Sequence, residues 1–116
     1  MTDTSEAEKL QEVRRAWRDA DDQYNADILA AAGDPTLTAR IEANWWDLFS
    51  LWSKRNTAAL EKNNAAVAAA YDAAKAANDK VEAGRAAAEK LAKTVAGVAQ
   101  VVTALGTLFK AVGPKS

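Results

Sequence analysis

Large and small apolar side chains recur at Leu10, Val13, Trp17, Ala20, Tyr24, Ile28 and Ala31, at spacings of three and four residues. That rhythm places them on one face of an α-helix. Ser5 with Glu8 fits a capping box, in which hydroxyl and carboxylate satisfy amides of the first turn. Gly33 suits the left-handed residue that closes a helix, and Asp34-Pro35 suits the N-cap and first position of the next. The pattern predicts helix 1 over about 5–32 and a tight turn at Ala32-Gly33-Asp34-Pro35.

Leu37, Ile41, Trp45, Leu48, Phe49 and Trp52 then share one side of a second helix. In an antiparallel hairpin turning at 33–34, facing residue numbers sum to roughly 67. Trp17 is thereby expected near Ser50 and Trp52, and Tyr24 near Ala43. The cluster Trp17, Trp45, Phe49 and Trp52 is the expected best-buried region. No proline falls between Pro35 and Pro114. Helix 2 is therefore read as a long one, about 35–82, with its end at Asn78-Asp79 through Gly84.

Helix 3 is expected over about 85–112, stopped by Gly113-Pro114. Within it Leu91, Val95, Val98, Val102, Leu105, Phe109 and Val112 alternate spacings of four and three, a heptad seam. Val101 and Leu108 widen the apolar face. The expected fold class is all-α, one helical domain over 1–116: an elongated helical hairpin with a long middle helix and a third C-terminal helix, coiled-coil-like and assembled in an oligomer. In an alternative arrangement the whole of 35–112 is one rod packed against other copies.

Composition sharpens this picture. The apolar share is 49%, but 29 of those residues are alanine and 28 are larger. Alanine favours helix and buries little area, so the core per residue is thin. Seams of this length on so few elements point outward, to a copy or a partner. The heptad positions are thus the candidate self-association seam.

Cys and His are absent, which removes disulfides, thiolate metal sites, imidazole catalysis and cysteine nucleophiles. Asp19, Asp21, Asp22 and Asp27 lack the ligand ladder of a calcium loop and read as a solvated face. Arg14, Arg15 and Arg18 read as surface ion-pair partners of Glu12 and Asp19. The five glycines form neither a dinucleotide fingerprint nor a phosphate loop. No enzyme activity, no cofactor, no metal and no small-molecule substrate is expected.

The net charge of −1 hides a polarity. Residues 1–35 carry four basic and nine acidic side chains, whereas 36–116 carry eleven basic and seven acidic. Beyond Glu89 only Lys90, Lys93, Lys110 and Lys115 are charged. An acidic head and a basic tail attract within or between chains. A sequence pI near 5.4 argues against nucleic acid as a partner. The start, Met-Thr-Asp-Thr-Ser-Glu, is too polar for a secretory signal, so the default expectation is cytoplasmic. Signal-independent export and virion association stay open.

Two further features bear on partners. Trp46 lies about 100° around the helix from Trp45. With Leu51, Lys54 and Arg55 it forms a candidate partner contact, because aromatic anchors dominate many interfaces. Thr94 to Phe109 is free of charge for 16 positions, between Lys93 and Lys110. That is short of the ~20 apolar residues of a spanning helix but longer than most buried apolar runs. The alanine-rich amphipathic tail is similar in composition to segments of helical pore formers, secretion-system translocators and phage ejection proteins. The uncharged run and the acid-free tail motivate a membrane-active alternative, of pore-former, translocator or phage-ejection type, inserting residues 91–112. The expected function is a non-enzymatic structural or interaction protein that self-associates as a homo-oligomer or packs against a protein partner. The alternatives are membrane action and a small helical inhibitor or adaptor.

Overall fold

The computed structural model describes residues 4–114; Lys115 of the basic tail lies outside them. Four helices follow in order: α1 (Glu6–Ala30), α2 (Pro35–Lys54), α3 (Ala65–Ala86) and α4 (Leu91–Val112). The chain is all-helical. α1 and α2 form the expected hairpin. The Glu8 amide donates to Ser5 Oγ at 3.1 Å, and the Leu37 amide to Asp34 Oδ1 at 3.0 Å. Gly33 holds φ +90° in the turn between them. Trp17 lies against Phe49 and Trp45, at 5.6 and 5.3 Å between ring centroids, beside the Ser50 and Trp52 expected to face it.

The long middle helix over 35–82 is not there. It is two helices separated by 55–64, and the break near 78–84 is replaced by continuous helix through Asn78 and Gly84. Side-chain bonds mark the two edges of the break. Thr57 turns its hydroxyl onto the Lys54 carbonyl at 2.8 Å, and Asn64 caps α3 by accepting from the Val67 amide at 2.9 Å. Such side-chain bonds compete with helix and favour an end and a fresh start. Asn78, by contrast, is buried inside α3 and donates to the Glu12 carbonyl at 3.0 Å. α3 instead stops at a Schellman motif. The Glu89 amide bonds the Gly84 carbonyl and the Ala88 amide the Arg85 carbonyl, with Ala88 at φ 53°.

The helices run up, down, up and down. α1 packs on α2, α2 on α4, α4 most extensively on α3, and α1 on both α3 and α4. α2 and α3 are diagonal, with no close backbone approach, so residues 55–64 must cross one end of the bundle. Leu60 of that crossing is fully buried, and the Ala59 amide reaches the Gly113 carbonyl at 3.2 Å. The described chain measures 45 × 26 × 19 Å.

The core is built from small aliphatic residues. Val13, Leu48, Leu60, Val67, Val101, Leu105, Leu108 and Val112 have at most 2% of their surface exposed. The aromatic cluster expected at the centre is displaced to a flank: Trp17, Trp45 and Trp52 are half-buried and Phe49 is 41% exposed. α2 aims Ile41, Asn44 and Leu48 inward. That leaves positions 45, 49 and 52 a step around the helix, against the outer side of α1.

The α4 seam is rotated in the same way. Val101 and Leu108 are buried, whereas Val102 and Phe109 are only half-buried. α4 faces α3 on one side and α1 with α2 on the other, so its buried stripe bisects those neighbours. Val101→Ala should therefore cost about 2 kcal/mol and Val102→Ala less than about 1 kcal/mol. Urea unfolding of the two variants checks the difference, and equal costs would contradict the rotation.

Candidate interaction surfaces

Polar clasps centred on basic side chains help hold α1 in place. The ammonium of Lys9, itself buried, donates to the carbonyls of Leu60 and Lys62, both at 2.7 Å, and to Asn63 Oδ1 at 3.1 Å. Arg15 bridges Glu12, Asp79 and Glu82 at 2.8–2.9 Å. Arg85 of α3 grips Asp19 at 2.7 Å and Asp27 at 3.0 Å. The acidic face of α1 is thus partly consumed by ion pairs, not wholly solvated. Burial opposes the charge on Arg85, but Asp27 and Asp19 outweigh it and its pKa rises. Burial pushes the Asp19 carboxyl up, against the pull of Arg85. Burial likewise raises the Tyr71 phenol. Arg85 and Asp19 are thus occupied in holding α3 to α1.

Among the described residues two extended apolar surfaces stand uncovered. The first is an aromatic ridge on the outer side of α1 and α2. Trp45 stacks on Phe49 at 5.6 Å and 9° between planes, and Trp46 meets Trp45 edge-on at 5.0 Å. Trp17 and Tyr24 of α1 support Trp45 from below, at 5.3 and 5.9 Å. The Trp45 indole N–H donates to Asp21 Oδ1 at 3.2 Å. Trp46 crowns the ridge with 62% of its surface exposed.

The second surface is a groove of about 780 Å³ between α3 and α4, on the opposite side of the molecule. Alanines floor it, among them Ala66, Ala69 and Ala73 on α3 and Ala99 on α4. Thr103 and Thr107 border it, but their hydroxyls bond the carbonyls of Ala99 and Thr103 in their own helix, at 3.1 and 3.0 Å. Their methyl groups keep the groove apolar. Lys80 is the charged residue of its wall.

The residues singled out from sequence divide accordingly. Of the seam, Val95, Val98, Leu105 and Val112 are buried inside the chain. Leu91, Val102 and Phe109 are half-buried and pack against the core. The stripe offered for self-association is thus largely spent within the bundle. Trp46, Leu51, Lys54 and Arg55 do not form one patch. Leu51 packs toward the core, and Lys54 is exposed beside Phe109 and Lys110. Arg55 stacks on Trp52 with its guanidinium 3.8 Å from the ring. Only Trp46 joins the ridge. Sequence reasoning passed over Lys9, Asn44 and Arg85, because a polar residue on a helix reads as solvated until its neighbour is known. The α3/α4 groove did have a signal, the alanine enrichment of 65–77. In comparisons with protein-family models, curated proteins and solved structures, nothing matches this chain.

Proposed function

We propose that the protein is non-enzymatic and acts by packing a helical surface against another polypeptide, as a structural, adaptor or inhibitor component. One observation carries the reading: the ridge of Trp46 and Phe49 stands uncovered while smaller apolar residues fill the core. Isolated surface apolar residues are ordinary, but a contiguous aromatic patch marks an interaction site. The test is chemical cross-linking in the cells that make the protein. Wild type should give an intermolecular adduct that Trp46→Ala weakens. A sole uncross-linked monomer for both proteins counts against the reading.

A second reading, membrane action by α4, has its own support. Among the described residues α4 is long and apolar enough to cross a bilayer, with mean hydropathy 1.6 and a third of the segment buried. Insertion would pull Val98, Val101, Leu105 and Leu108 out of the core, so it requires the bundle to open. Flotation with anionic vesicles decides it, and protein left wholly at the bottom of the gradient rejects it.

A further inference from the structure

We infer that the occupant of the α3/α4 groove is the aromatic ridge of a second copy of this chain, and that the contact is head-to-tail. The inference rests on the reading just given and names its partner. The two surfaces are complementary in size. The ridge presents the largest uncovered side chains of α2, Trp46 and Phe49. The groove presents alanines, which leave a recess of about 780 Å³. Trp46 and Phe49 still have 62% and 41% of their surface to bury in such a recess.

The surfaces are also complementary in charge. Exposed Glu42 sits one helical turn before Trp46, and exposed Asp47 directly follows it. Exposed Lys80 stands in the groove wall. The inward-bonded hydroxyls of Thr103 and Thr107 offer little to a polar ligand and suit an apolar one.

Position fixes the symmetry. The ridge belongs to the α1/α2 hairpin and the groove to the α3/α4 hairpin, and these hairpins form opposite layers of the bundle. A copy that gives its ridge to one neighbour still offers its groove to another. Such an interface is heterologous and does not close as a two-fold dimer would; it grows. In the stack each α3/α4 layer lies between its own α1/α2 layer and the next copy's.

Sedimentation of the purified full chain over a concentration series tests this. Wild type should show mass rising continuously with concentration. Trp46→Ala with Phe49→Ala removes the ridge, and Ala73→Arg blocks the groove at an exposed position. Each variant alone should weaken association by about thirtyfold or more while keeping wild-type helical circular dichroism. Mixed together, they should form a one-to-one dimer that grows no further, because one intact ridge meets one intact groove. Glu42→Lys should weaken association, and adding Lys80→Glu should restore it. A wild type monomeric at every concentration overturns the inference. So does a two-fold dimer, or association seen only with vesicles. If the pure protein stays monomeric while the cellular cross-link still needs Trp46, the interaction reading stands and the second copy is the wrong partner.

Discussion

Lys9→Met should lower the stability of the bundle by about 3 kcal/mol, a drop of roughly 10 °C or more in melting temperature. Methionine keeps the length of the buried stem and removes the ammonium. The carbonyls of Leu60 and Lys62 and the amide oxygen of Asn63 then lose their shared donor at the bundle end. A buried acceptor left without a partner costs its full desolvation, which exceeds the net worth of the bond it made. Lys9→Arg should not rescue, because a planar guanidinium cannot replace a compact ammonium in a fully buried site. Hydrogen exchange offers a local readout. Amides of 59–68 should lose protection before those of the α1/α2 hairpin. Unchanged exchange in that stretch would show that Leu60 packing alone seats the crossing.

Arg85→Gln should cost about 2–3 kcal/mol near neutral pH, because Asp19 and Asp27 then share a mostly buried site without a counter-ion. The deficit should depend on pH. Burial already pushes the Asp19 carboxyl above its ordinary value, with Arg85 pulling it back. A carboxyl that holds its proton more tightly when folded adds stability as pH falls toward its unfolded value, and that contribution is lost as pH rises through the folded value. Without Arg85 the upward push is larger, so the variant recovers more on acidification than wild type does. The gap between the two should narrow as pH approaches about 4. Urea unfolding at several pH values checks this. A gap that widens toward acid would mean that the clasp is not the source of the loss.

The sequence carried the first hairpin almost completely. Its turn is written in residues whose backbone demands are strong: Gly33 for positive φ, Asp34 for a cap and Pro35 for a first turn. It carried the crossing at 55–64 poorly. Arg55, Asn56 and Thr57 break no rule of helix formation strongly, and the alanines beyond them favour helix. What ends α2 is a tertiary gain: Leu60 enters the core and Lys9 closes over it, and neither is visible at ±4 residues. The seam of α4 was legible as apolar but not as oriented. Two heptad registers one residue apart, through Val102 or through Val101, differ only in which neighbours the helix meets. The ridge was half legible. Trp46 stood out as off the main face, whereas Phe49 was expected inside, because periodicity cannot say which of two adjacent stripes on α2 faces the centre.

The crossing of the bundle end has a topological consequence. It is the sole covalent tether between the two hairpins, and its span must clear the diagonal from α2 to α3. Shortening it until it can no longer make that span leaves each hairpin intact but unable to meet its own mate. The α3/α4 arm of one molecule would then settle on the α1/α2 arm of another, giving a swapped dimer in which the contacts between helices are kept while the connectivity differs.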